Sequence, residues 1–229
     1  MIKAVVFDLD HTLFDRYQTL TELSKRIHLK LPINPKLTQE EIASYMIKAD
    51  KEKIHYGFEA VQQYLTDKTN LFLKPLNEGD YRNFLLNEFA VTAVPFSFTI
   101  PMLKELKKEG FKIGLITNGK SKLQMKKLEM LKLIPYFDKI LVSGDYNCPK
   151  PQITPFLMMA EWLNLKPCEI MYVGDNPLND IEGSRNAGYT PVFVNTVGKW
   201  SMPEIEECQL KVETVAEIPD LVKKINQAL

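Results

Sequence analysis

The run Ala4-Val5-Val6-Phe7 is apolar at every position, stops at Asp8, and resumes for one residue at Leu9 before Asp10, His11 and Thr12. A strand with one wet face alternates apolar and polar residues. An unbroken β-branched and aromatic run instead predicts a strand covered on both faces, the central strand of a parallel sheet. Asp8 then falls at the carboxyl end of that strand. In open α/β sheets ligands bind at that edge, and two acids one residue apart there are costly to bury without a cation or a proton to move. Asp8-Leu9-Asp10 also reads as a solvated turn, and other segments decide between the two.

After a short exit through Leu13 to Arg16 the pattern becomes helical and stays so to about Ala90. Thr38 with Glu41 has the form of a capping box, and Ile42, Tyr45, Met46 and Ala49 follow on one face. Phe58, Val61 and Leu65 make a second such face and Tyr81, Phe84, Leu85 and Phe89 a third; with a helix near Leu20 to Leu29, four are expected. From Val94 strands and helices alternate. Strands are predicted at Phe111 to Ile116, Lys139 to Val142, Ile170 to Val173, Thr190 to Val194 and about Leu210 to Glu213. Between them, Pro101 suits the first position of a helix that ends at Gly110, and Ser121 with Gln124 has the form of a second capping box. Further helices are expected from Thr154, within Asn176 to Ala187, and from Ile218 to Ala228.

This rhythm predicts an α/β protein, a doubly wound parallel sheet with an inserted α-helical bundle. One strand does not stand alone, so residues 1–16 and 93–229 are expected to form one discontinuous core, with 17–92 as the insertion. At 229 residues the chain is long enough to bury such a core. Lys and Arg total 29 and Asp and Glu total 29, so no net charge favours nucleic acid, and no such partner is expected. Cys148, Cys168 and Cys208 form no CxxC pair and no long apolar run occurs, which predicts a reduced, cytoplasmic protein without a membrane partner.

Asp8, Thr117 and Asp175 each end a predicted strand, so adjacent parallel strands would bring them to one edge. There Asp8 and Asp175 suit a shared magnesium ion, a hard cation that prefers carboxylate oxygens. Thr117 and Asn118 bring a hydroxyl and backbone donors for phosphate oxygens, and Lys150 adds a positive charge beyond the next strand. Each of these is weak by itself.

Together they resemble the haloacid dehalogenase-like (HAD) hydrolase superfamily, whose core is Rossmann-like. Its DxDxT motif matches Asp8, Asp10 and Thr12; its strand-ending Thr or Ser matches Thr117; its Lys-Pro matches Lys150-Pro151; its GDxxxxD matches Gly174, Asp175 and Asp180. The helical insertion resembles that family's small α-helical cap. The resemblance implies that Asp8 is a nucleophile forming an aspartyl-phosphate and that Asp10 is the acid and base. It implies a Mg2+ ion on the Asp8 and Asp175 side chains and the Asp10 carbonyl, and phosphoryl oxygens held by Thr117, Asn118 and Lys150. Thr12 and Asp180 would support these groups, Asp180 orienting Lys150 or a metal-bound water; an acid near a helix start is its other reading.

An acid at Asp10 sets the chain apart from the dehalogenases of the group. The resemblance therefore implies a phosphomonoesterase acting on a small phosphorylated metabolite, a nucleoside monophosphate or a sugar phosphate. A phosphomutase or a non-catalytic phospho-ligand binding protein is the alternative. His11 stands where the family often has Gly, and the loop Ser143-Gly144-Asp145-Tyr146 lacks a common Glu. In the cap, Arg16, Tyr17, Lys48, Lys51 and Tyr56 are candidates for selecting the substrate.

Overall fold

The structure, a computed structural model, describes residues 1–196 and 202–228. It divides into two compact units, Arg16–Val94 and Met1–Asp15 together with Pro95–Leu229.

The first of these is helical. It contains α1 (Arg16–Ser24), α2 (Gln39–Lys53), α3 (Phe58–Lys68) and α4 (Asp80–Glu88). The capping box at the start of α2 forms as the sequence predicts: Thr38 Oγ1 accepts from the Glu41 amide at 3.2 Å, and Glu41 Oε2 accepts from the Thr38 amide at 2.7 Å. Ile42, Met46 and Ala49 then turn inward with Val61, Leu65, Tyr81, Phe84 and Leu85 from the neighbouring helices. Arg16 is buried in this unit as well. Its Nε and a terminal nitrogen donate to the two oxygens of Asp50 at 2.9 and 2.6 Å, and its guanidinium lies 4.8 Å from the centre of the Phe89 ring. Arg16 is thus taken up by an internal ion pair, Lys51 lies over the Tyr17 ring, and Tyr56 is exposed.

The other unit is built on six parallel strands: β1 (Ala4–Phe7), β2 (Lys112–Thr117), β3 (Lys139–Val142), β4 (Ile170–Gly174), β5 (Thr190–Val194) and β6 (Lys211–Val212), in the order β3-β2-β1-β4-β5-β6. All four residues of β1 are fully buried, the reason for its unbroken apolar sequence. Val6 and Ala4 pack with Phe156, Met159 and Leu163 of α7 (Thr154–Leu163), while Val5 and Phe7 point to the opposite face, which is equally dry. The flanking helices also include α5 (Thr99–Lys108), α6 (Ser121–Met130), α8 (Gly183–Asn186) and α9 (Ile218–Gln227).

Two local expectations are corrected. Helix α5 begins at Thr99, two residues before Pro101, where the Thr99 hydroxyl donates to the Leu13 carbonyl at 2.7 Å. The capping box at Ser121 does not form, because Lys120 precedes the helix and the Gln124 side chain is drawn elsewhere. The helix expected within Asn176 to Ala187 is present as α8, and Pro177–Glu182 before it is a π turn, in which the Ile181 amide reaches back five residues to Asn176.

Candidate active site

Parallel pairing fixes the site. In register, Phe7 lies between Leu115 and Val173, so Asp8, Thr117 and Asp175 leave their strands along one edge. The Asp8 amide extends the ladder by donating to the Val173 carbonyl at 2.9 Å, which turns the residue out at the strand end. The next turn places His11 at a left-handed φ of 63°, a conformation that glycine adopts most freely, and the Thr196 hydroxyl donates to the His11 carbonyl.

Lys150 is the centre of the deeper half. Its ammonium is 4 % exposed and donates to Asp8 Oδ1 at 2.7 Å, Asp180 Oδ1 at 2.6 Å and the Tyr172 hydroxyl oxygen at 2.9 Å. Asn118 clamps its backbone, accepting from the Lys150 amide at 2.9 Å and donating to the Lys150 carbonyl at 3.0 Å. The Asn118 side chain is therefore committed to the lysine loop; what it offers a phosphate is main chain. The π turn brings Asp180 back to the strand end, where its Oδ2 accepts from the Asn176 amide at 3.0 Å. Gly174 is required beside it: a Cβ there would stand 2.4 Å from the Asp180 carboxyl carbon. Tyr172 was not anticipated, since an aromatic in a buried strand reads as packing. Its hydroxyl donates to the Ile116 carbonyl at 3.2 Å, and its ring meets Phe156 edge to face.

Asp10 is held separately. Lys127 Nζ, on α6, donates to both Asp10 oxygens at 2.8 Å, and Gln124 Nε2 donates to Asp10 Oδ2 at 3.2 Å and to Thr117 Oγ1 at 2.5 Å. Neither side chain was picked out from the sequence as part of a site. The available signal was spacing: Gln124, Lys127, Leu128 and Leu131 follow the i, i+3, i+4, i+7 rule of a buried stripe, and all four are buried. Thr12 is buried with its hydroxyl 3.5 Å from Asp8 Oδ2.

Carboxylate oxygens of Asp8, Asp175 and Asp180 lie within 4.8 Å of one another. Burial pushes the Asp8 carboxyl up from 3.8 to about 7; Lys150 pulls the other way, and Asp180 adds to the rise. The Asp175 carboxyl is raised well above its ordinary value by burial and then by Asp180 and Asp8. Burial alone would lower Lys150, but Asp180 and Asp8 hold it firmly protonated. One ammonium thus faces three acids. Oxygen donors in that proportion fit a hard divalent cation, whose charge would relieve the repulsion. The Asp10 carboxylate is turned to α6 and is not one of this trio.

The sequence model of the haloacid dehalogenase-like hydrolases matches residues 5–194. The chain belongs to that family. Two relatives that align along nearly their whole lengths carry phosphatase names. It is 29 % identical over 233 residues to the glyceraldehyde 3-phosphate phosphatase of Methanocaldococcus jannaschii, covering 99 % of this chain and 100 % of that one. It is 27 % identical over 242 residues to the N-acylneuraminate-9-phosphatase of Mus musculus, covering 98 % and 95 %. This HAD hydrolase is accordingly a phosphatase. Among solved structures, a magnesium-bound HAD hydrolase from Bacillus subtilis shares the fold with a TM-score of 0.73 at 23 % identity, over 96 % of this chain and 98 % of that one. Among the described residues no helix is long and apolar enough to cross a membrane.

Proposed function

We propose that this HAD phosphatase is a magnesium-dependent phosphomonoesterase that passes the phosphoryl group of a small sugar phosphate to Asp8 and then to water. One observation carries the reading. Asp8 and Asp10, a single residue apart, are given different environments, the first buried against Lys150 and Asp180 and the second, partly exposed, against Lys127 and Gln124. Two carboxylates with separate surroundings are what separate roles require.

In the first step a carboxylate oxygen of Asp8 bonds to phosphorus while the ester P–O bond breaks, and the departing alkoxide takes a proton from Asp10. In the second, Asp10 takes a proton from water as the water oxygen bonds to phosphorus and the Asp8–phosphorus bond breaks, returning both carboxyl groups to their starting forms. Thr117, the Asn118 main chain and Lys150 hold the phosphoryl oxygens. Asp180, Tyr172 and Asn118 keep Lys150 in place from three directions. Magnesium, held by Asp8, Asp175 and the Asp10 carbonyl, would neutralise phosphoryl charge and allow Asp8 to ionise near neutral pH. The trio of carboxylates and the magnesium-bound neighbour support that assignment.

The helical unit, expected at residues 17–92, serves as the cap, and residues 1–16 with 93–229 as the catalytic domain. The two relatives act on a three-carbon sugar phosphate and a nine-carbon sugar acid phosphate, which favours sugar phosphates over nucleotides. The test is hydrolysis of p-nitrophenyl phosphate and a panel of sugar and nucleoside phosphates, with magnesium and with EDTA. Phosphate release that needs magnesium is the expected result. Isomerisation of a sugar phosphate without phosphate release would replace the reading by a phosphomutase, and binding without turnover across the panel by a binding protein.

A further inference from the structure

Helix α6 carries a buried lysine that faces Asp10. Lys127 is 2 % exposed, on a buried stripe with Gln124, Leu128 and Leu131, where an ammonium incurs a desolvation cost that an apolar side chain of similar length would not. Its charge is spent on Asp10, with equal 2.8 Å contacts to both oxygens. Phe14 lies alongside, its ring centre 5.4 Å from the same nitrogen. One turn earlier, Gln124 Nε2 adds the contact to Asp10 Oδ2 and bridges to Thr117 Oγ1 and the Asn118 carbonyl. Because Thr117 Oγ1 accepts from Gln124, its own hydrogen goes to a different acceptor. Here that is the Asn118 carbonyl at 3.4 Å, a long contact that a phosphoryl oxygen would readily replace.

We infer that Lys127 and Gln124 are positioning residues that fix the Asp10 carboxylate in the orientation proton transfer requires, Gln124 also setting the direction of the Thr117 hydroxyl. The inference rests on the reading of Asp10 as the proton-transfer group. A carboxylate on a free turn rotates about two side-chain bonds. Three hydrogen bonds from two donor groups on one helix face, the Lys127 ammonium and the Gln124 amide, oppose both rotations, and loose support is a common way for a site to lose rate.

The experiment is a mutant cycle between Lys127→Met and Asp10→Asn, with Gln124→Leu as a further single variant. It is read with glyceraldehyde 3-phosphate and with the first-turnover burst of p-nitrophenyl phosphate. An alkoxide needs the proton from Asp10, whereas p-nitrophenolate departs without one. Lys127→Met is expected to lower kcat on the aldehyde ester by about 10²-fold with KM within about threefold, while the p-nitrophenolate burst keeps its rate within about threefold. Gln124→Leu is expected to lower kcat on the aldehyde ester by about tenfold and, through Thr117, to slow the p-nitrophenolate burst by a smaller factor of about threefold. In the Asp10→Asn background Lys127→Met should cost no more than about twofold, since a residue acting through Asp10 has nothing left to position. Equal losses on both substrates, additive losses in the cycle, or wild-type rates in Lys127→Met overturn the proposal. Full activity in Asp10→Asn overturns the reading beneath it as well, which separates the two failures. The double variant removes both partners of the pair and should fold even where Lys127→Met alone does not. Gln124→Leu in both backgrounds then decides, and where glyceraldehyde 3-phosphate is not turned over, steady-state p-nitrophenyl phosphate hydrolysis serves the cycle.

Discussion

In the helical unit Arg16 gives two hydrogen bonds to the two oxygens of Asp50, one cation for one anion, with Phe89 against the guanidinium. At the sheet edge Lys150 faces Asp8 and Asp180 directly, and Asp175 stands within the same cluster. Both arrangements bury charge, but in the first each carboxylate oxygen of Asp50 meets a guanidinium donor of its own. Two parallel charge-assisted hydrogen bonds of that kind are among the strong ones. Burial, with the neighbouring carboxylates adding to it, holds the Asp8 and Asp175 carboxyls above their usual range, the kind of perturbation that marks a site awaiting an incoming charge. The proportion of opposite charges, more than their burial, tells a structural site from a working one.

Asp8→Asn is the strongest test of that contrast. Turnover of p-nitrophenyl phosphate should fall by about 10⁴-fold or more, while circular dichroism shows a folded protein, because the variant relieves repulsion as it removes the proposed nucleophile. The helical unit should behave in the opposite sense. Arg16→Met leaves Asp50 buried and unpaired and should cost about 3–5 kcal/mol in denaturant unfolding, whereas Arg16→Met with Asp50→Leu should recover most of it. A single variant as stable as the parent would show that the pair is not buried as described.

Gly174→Ala sharpens the comparison at a position that carries no charge. The added methyl would overlap the Asp180 carboxyl, displacing it from Lys150, and kcat should drop by about 10²-fold with a smaller change in KM. The smallest effect is on the pH dependence of stability. Folded Asp8 keeps its proton to about 7 against 3.8 ordinarily, so the folded state binds more protons than the unfolded one between those values. Asp8 therefore favours the unfolded state progressively as pH rises through that window, the reverse of a salt-bridged acid. In EDTA the melting temperature should decline between about pH 4 and about pH 7, less so in Asp8→Asn, and magnesium should raise it more at about pH 8 than at about pH 5. A melting temperature insensitive to magnesium at every pH would count against the metal site.

Much of this was legible in the chain. The buried run at Ala4–Phe7 announced a central parallel strand, and parallel pairing then dictated that Asp8, Thr117 and Asp175 share an edge. What escaped was set by side chains that cross between elements. Gln124 satisfied a capping rule with Ser121, a local reading that tertiary contacts with Asp10 and Thr117 overrode. Lys127 sat in a run of basic residues that resembles a wet helix face. Tyr172 looked like core and is core, yet its hydroxyl bonds the ammonium at the centre of the site. The π turn at Pro177–Glu182 has no helical period to betray it, and it returns Asp180 to the strand end.

The sheet order has a further consequence during synthesis. Strand β1 pairs with β2 on one side and β4 on the other, so the chain must be extended to residue 117 before the first neighbour exists and to residue 174 before the second. At about 5–20 residues per second, Ala4–Phe7 waits roughly five to twenty seconds as an unpaired, wholly apolar strand, and roughly ten to thirty seconds for its second neighbour. A strand in that state is a template for other nascent chains, and chaperone capture of the early segment is what would protect it. The same delay keeps Asp8 from meeting Lys150 and Asp175 until the sheet is nearly whole, so the chemistry cannot switch on in a half-made protein.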